Sequence, residues 1–176
     1  DHRVPKKYAG RLVLQELHAT TLAPVGEVRE IYAADPVYLE GPHIYRHEGQ
    51  YYLFAADTGT GELHGQSVLR SASVWGPYTM FHPRNALRTS ETEAWSLLTA
   101  RHHPGHPLQK AGHADLFQTQ TGEWFAVHLC GRPSGRCNPP SAPKAPGARR
   151  YPLGRETALQ RIVWEDGWPV LANGTP

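Results

Sequence analysis

Glu40 and His113 are the residues whose types and spacing first point to chemistry. Two stretches of the chain share one pattern: an apolar run, a turn ending in glycine, and a second apolar run. Aligning the turn glycines Gly49 and Gly122 sets Ile44 against Phe117, Tyr51 against Trp124 and Phe54 against Val127. Counted back along that alignment, Glu40 and His113 fall at equivalent places, each opening the first strand of its unit. A carboxylic acid and an imidazole placed this way can give, take and hold protons at a shared pocket. The same spacing also fits a plainer arrangement, in which Glu40 caps the turn before Gly41-Pro42 and His113 is a hydrogen-bonded core histidine. Spacing alone favours the plainer one.

Other candidate groups lead less far. His102-His103-Pro104-Gly105-His106 gathers imidazoles in a Pro/Gly-broken loop without an acidic or thiol ligand at useful spacing, which reads as a solvated loop. Cys130 and Cys137 are near enough for a local disulfide, lack the second pair of a zinc site, and fix no redox compartment. The bend around Gly59 and Gly61 is too short for a phosphate-binding loop. Asn173-Gly174-Thr175 is a glycosylation sequon that matters only in a secreted protein, and Pro176 directly after weakens it.

The elements that must position Glu40 and His113 are short strands. Leu12–Leu17 and Val28–Tyr32 read as strands flanking a turn-rich stretch with Pro24 and Gly26. His43–Arg46 and Gln50–Ala55 flank Glu48-Gly49 as a hairpin, followed by Gln66–Ser71 and, after Trp75-Gly76-Pro77, by Tyr78–Phe81. The set then recurs. Asp115–Gln118 and Glu123–His128 flank Thr121-Gly122, and Leu159–Trp164 and Val170-Leu171 flank Asp166-Gly167. Repeated groups of four antiparallel strands predict propeller blades, with a sandwich as the alternative that composition alone allows. Two stretches depart from the pattern. Ser90-Glu91-Thr92-Glu93 resembles a capping box and predicts a short helix over Ala94–Leu98. Residues 131–150, with four prolines between Pro139 and Pro146, predict a surface loop.

Composition agrees with this class. Gly (17) and Pro (16) are abundant for a helical protein of 176 residues, and 5 Trp and 8 Tyr favour strands. A formal net charge of +2 argues against a nucleic-acid binder, which needs a clear basic excess. With 39% hydrophobic and 19% charged residues the chain is not expected to be disordered. No apolar run reaches the length of a membrane span, and no leader-like segment opens the sequence. A start at Asp1 rather than Met leads to the expectation that something upstream was removed or never included. Secreted and cytoplasmic locations both fit.

Glu40-Gly41-Pro42-His43, then Gly112-His113-Ala114-Asp115-Leu116 before Gly122-Glu123-Trp124, then Leu153-Gly154-Arg155-Glu156-Thr157 occur in that order. With Glu165-Asp166-Gly167-Trp168-Pro169-Val170, they resemble glycoside hydrolase family 43, especially its β-xylosidase branch, from about residue 10 to 172. The resemblance implies an all-β fold, a partial five-bladed β-propeller of about two and a half blades. Residues 1–176 would form a single partial catalytic domain, with the end of one blade in 10–33 and full blades in 40–84 and 112–172. It implies an inverting glycosidase that releases xylose or arabinose from xylan-derived oligosaccharides or arabinoxylan.

In that family the acid is the Glu of the E-G-P-H motif, here Glu40. The resemblance casts His113 as the axial His beneath the sugar, which in some members helps hold a structural Ca²⁺ through water, with no cofactor required. It casts Arg155 as the Arg that reaches the sugar hydroxyls. The family's base and its pKa-tuning Asp come from blades preceding this segment, so the chain is expected to carry the acid without the base and to be inactive alone. Local substitutes do not match: Asp35 precedes Pro36 as a turn residue, Asp57 sits in a Gly-rich bend, and Asp115 reads as a structural hydrogen-bonding group. The alternatives are a non-catalytic carbohydrate-binding module, with Trp75, Trp95 or Trp124 stacking on sugars, and a half that assembles with itself or with an upstream half-domain.

Overall fold

The computed structural model describes residues 11–34, 38–81, 96–134 and 150–174, all strand, turn and loop, with no helix among them. The strands are β1 (Arg11–Leu17), β2 (Pro24–Ala33), β3 (Leu39–His47), β4 (Gln50–Asp57), β5 (Gly65–Ser71), β6 (Thr79–Met80), β7 (Ser96–Thr99), β8 (Gln109–Gln118), β9 (Trp124–Gly131), β10 (Glu156–Glu165) and β11 (Trp168–Leu171). They form a two-stranded ribbon β1-β2, a five-stranded sheet β3-β4-β5-β6 with β7 also paired to β5, and a four-stranded sheet β8-β9-β10-β11. Every pairing is antiparallel. The β3–β4 hairpin turns at Glu48-Gly49, both left-handed at φ 46° and 79°, the backbone of a tight turn that matches strand twist.

One expected element differs. Ser90–Glu93, Ala94 and Trp95 lie outside the described residues, but Ser96–Thr99 is a strand rather than the end of a helix. β6 occupies only the Leu69–Arg70 part of the β5 edge, which leaves Gly65–Ser67 open. Ser96–Thr99 fills that edge, pairing Thr99 with Gly65, Leu98 with Gln66 and Ser96 with Ser67. Satisfying those backbone groups outweighs a single marginal helical turn. The first full unit therefore has five strands rather than four.

β4 is the centre of the packing. Its alternate residues point to opposite faces. Tyr52 and Phe54 join Val68, Leu98, Ala114, Leu116, Ala126 and Ile162 in one apolar cluster, which seals this sheet against the β8–β11 sheet. Leu53 and Ala55 join Leu12, Ile31, Leu39, Leu69 and Tyr78 in a second cluster, which seals the other face against the β1–β2 ribbon. A fully buried Phe54 alone contributes about 1.5–3 kcal/mol of transfer free energy. The seam is pinned by polar links as well. The Tyr52 hydroxyl (2.7 Å) and Arg70 Nη1 (2.8 Å) both donate to the Gly167 carbonyl in the β10–β11 turn. Among the described residues no helix is long and apolar enough to cross a membrane.

Candidate functional site

β3 and β8 approach each other where the two sheets meet, and the approach seats His113 against Gly41, the residue after Glu40. Glu40 pairs with Ala56, after which the register breaks before His43, so the strand is bulged just beyond Glu40. β8 is irregular on both sides of Gly112, and His113 has a left-handed φ of 53°. The His113 ring lies directly over Gly41: a Cβ on Gly41 would overlap the imidazole, so the residue after Glu40 can only be glycine at this approach. Glu40 is exposed and His113 half-buried. The structure thus seats His113 against the backbone of the E-G-P-H motif, at Gly41.

Further along the same two strands, the Tyr45 hydroxyl donates to Asp115 Oδ1 and accepts from the Leu116 N–H at 2.9 Å. Burial, reinforced by the Asp115 hydrogen bond, pushes the Tyr45 hydroxyl well above its ordinary pKa and keeps it a donor. His43 Nδ1 stands 3.8 Å from the same Asp115 oxygen. Asp115 is thus a tie between β3 and β8, in keeping with its reading as a structural hydrogen-bonding group.

Arg155 approaches from the start of β10. Its Nη1 donates to the Thr60 carbonyl at 3.0 Å, in the bend between β4 and β5. Partial burial lowers the Arg155 pKa from its ordinary value, though a guanidinium stays charged at any working pH. Its charge is felt by two buried histidines. His64 has its Nδ1 3.3 Å from the Asp57 carbonyl and its ring over Gly112, where a Cβ would overlap it. His128, on β9, has its Nδ1 3.1 Å from the Leu129 carbonyl. Burial first, with Arg155 adding to it, holds both imidazoles below their ordinary pKa and therefore neutral. Both Nε2 atoms are buried without a hydrogen-bond partner among the described residues. Gly41 with His113 and Gly112 with His64 are thus two close backbone approaches of neighbouring β8 residues, and the Arg155 charge reaches the second of them electrostatically.

Asp57 is fully buried and paired to Arg101, and it accepts hydrogen bonds from the hydroxyls of Ser67 (2.9 Å) and Ser96 (2.7 Å). With its lone pairs occupied it is a structural carboxylate. Asp35 lies outside the described residues. The His106 ring bonds its own loop at Leu108, and among the described residues no three His, Cys, Asp or Glu side chains converge to hold a metal ion. Cys130 is a buried free thiol and Cys137 lies outside the described residues. Trp124 packs edge-on against His47 and Trp164, and Trp75 lies under the Arg29 guanidinium; Trp95 lies outside the described residues.

Sequence reading missed His64, His128 and the Asp57–Arg101 pair. For His128 a signal existed, because period-two alternation puts it on the same face as Trp124 and Ala126. For His64 and Arg101 none did, since their partners are distant in sequence.

With this geometry in view, the likeness to known proteins is specific. The chain is 39% identical over 176 residues to a β-xylosidase of Bacillus subtilis, covering 99% of this chain and 30% of that protein. It is 38% identical over 135 residues to a non-reducing end α-L-arabinofuranosidase of Bacteroides ovatus, covering 76% of this chain and 21% of that protein. Among solved structures, xylan β-1,4-xylosidase from Bacillus halodurans superimposes with a TM-score of 0.77 at 38% identity, over 99% of this chain and 29% of that one. The chain thus spans about 30% of the length of the β-xylosidase it matches. The model of glycosyl hydrolases family 43 matches residues 2–169, nearly the whole sequence, and the chain accordingly belongs to glycoside hydrolase family 43.

Proposed function

We propose that this chain carries the acid-bearing part of an inverting, exo-acting glycosidase that removes β-1,4-linked xylose or α-L-arabinofuranose from xylan-derived chains, built as a partial five-bladed propeller. The observation that carries the reading is the seating of His113 over Gly41, which joins the E-G-P-H and G-H-A-D motifs in one wall. Glu40 is the general acid: its carboxyl proton passes to the glycosidic oxygen as the bond to the sugar's anomeric carbon breaks. A carboxylate on the opposite face, about 6.5–9.5 Å away, takes a proton from the attacking water. Neither Asp57 nor Asp115 is free for that task, so the base comes from outside the described residues, along with the walls that Glu40 needs in order to keep its proton. Arg155 spans a vicinal diol with its forked donors, and His113 supports the sugar from below.

The test is hydrolysis of aryl β-D-xyloside and aryl α-L-arabinofuranoside. The chain alone is expected to be inactive, because losing one member of an acid/base pair removes about 10²–10⁴-fold in rate. The same sequence within a complete catalytic domain is expected to turn over, and Glu40→Gln to abolish that turnover. Turnover by the isolated chain that survives Glu40→Gln would falsify this assignment.

A second reading, assembly with another chain or half-domain, is favoured by one observation. The outer face of the β8–β11 sheet exposes Phe117 and Leu159. A strictly monomeric chain at high concentration counts against it.

A further inference from the structure

We infer that Asp57 is a positioning residue, whose buried carboxylate fixes the bend that aims Arg155 at the sugar. The inference rests on the sugar-contacting role proposed for Arg155 and adds the device that holds it. Arg155 reaches the bend through the Thr60 carbonyl, so its aim is set by where that carbonyl points. The bend is tightly specified at its base. Thr58 and Gly59 are both left-handed, at φ 57° and 65°. The Thr58 N–H donates to the Tyr38 carbonyl at 3.2 Å, and its hydroxyl lies against the Leu63 carbonyl, the Asp57 carbonyl (2.9 Å) and Asp57 Oδ1 (3.1 Å). A threonine held left-handed is strained unless its surroundings over-determine it.

Asp57 supplies that over-determination. Its carboxylate is gripped by Arg101 Nη2, by Ser67 from β5 and by Ser96 from β7. Gly65 leaves room for this cluster: a Cβ there would stand 2.6 Å from Arg101 Nη2, 2.6 Å from Ser96 Oγ and 2.8 Å from Asp57 Oδ1. A carboxylate buried among such partners fixes the chain on either side of it, and the next residues in the chain are Thr58, Gly59 and Thr60. The path from the buried ion pair to the sugar-facing guanidinium therefore runs through one short bend.

The experiment follows the guanidinium N–H resonances of Arg155 in the full chain by NMR, assigned through Arg155→Lys. Thr58→Ala removes the hydroxyl and leaves the buried ion pair in place. It is expected to speed exchange of the Arg155 protons with solvent by about fivefold, the worth of one hydrogen bond, and Thr58→Ser is expected to restore the slow rate. Asp57→Asn is expected to act more strongly; should it fail to fold, the Thr58 pair carries the test alone. Leu53→Ala, in the cluster on the far face of the sheet, is expected to lower stability without changing Arg155 exchange. An unchanged rate in folded Thr58→Ala, or an equal change in Leu53→Ala, overturns the inference. Titration with xylobiose separates this from the function proposed above. Sugar binding that Arg155→Lys leaves intact defeats the sugar-contacting role, whereas the exchange rates alone decide whether Asp57 and its bend hold the arginine.

Discussion

β4 and β9 are equivalent strands of two neighbouring sheets, yet they are buried differently. From Tyr52 to Asp57 every residue of β4 is buried. Along β9, Ala126, His128 and Cys130 are buried while Phe125, Val127 and Leu129 are only partly so. The sequences do not announce this difference, since both strands are apolar on both faces. It arises because, among the described residues, the β3–β7 sheet is covered on both sides, by the β8–β11 sheet and by the β1–β2 ribbon, while the β8–β11 sheet is covered on one. An apolar strand therefore records what the sequence is prepared to bury, and the neighbours decide whether it does. The open face, with Phe117 at 43% and Leu159 at 56% exposure, is prepared for a cover.

The largest expected effect breaks the closed side. Phe54→Ala removes a side chain buried between two sheets and is expected to lower stability by about 3–5 kcal/mol. Urea unfolding monitored by tryptophan fluorescence measures it. A loss no greater than that of an exposed phenylalanine would mean the two sheets are not packed as described.

A smaller effect follows from the histidines in the same seam. His64 and His128 are held neutral, with pKa values below the ordinary 6.5 that each regains on unfolding. Well above pH 6.5 both states are neutral and these residues add no pH dependence. As pH falls below 6.5 the unfolded chain takes up protons that the folded chain refuses, so stability falls, by at most about 1.4 kcal/mol per pH unit for each histidine. His64→Gln and His128→Gln are each expected to flatten the decline between pH 7.5 and 5.5. Equal slopes in the wild type and both variants would remove these two imidazoles from the acid response.

Much of this arrangement was legible in the residues and part was not, for reasons of range. Glu48-Gly49 and Asp166-Gly167, flanked by apolar alternation, specify their hairpins locally, and the structure has both. The internal repeat aligns Glu40 with His113, and separately the structure seats the His113 ring over Gly41, the residue after Glu40. β7 was not legible, because its strand character comes from an open stretch of the β5 edge far back in the chain, while its local sequence points to a helix. The same holds for Asp57. Its surroundings read as a bend, and the partner that makes it structural, Arg101, lies 44 residues on. Local signals specify turns and strand faces. The polar groups that brace the site are specified by which strands happen to meet.

The smallest expected effect on stability is on the open side, and it sharpens the comparison most. Phe117 stacks on Phe125 and sits opposite it in the register, with its outer surface in solvent. Leu159 pairs with Val127 on the same face. Phe117→Ser and Leu159→Ser remove apolar area that is already largely wet, so each is expected to change stability by no more than about 0.5 kcal/mol. Their effect should appear instead as a change in association. A sheet face that waits for a cover lowers its exposure by pairing with another such face, so the wild-type chain is expected to sediment increasingly as larger species as its concentration rises. The two serine variants together should stay monomeric over the same range. If the double variant instead unfolds like Phe54→Ala, the outer face is buried within the chain itself, and the contrast between β4 and β9 disappears.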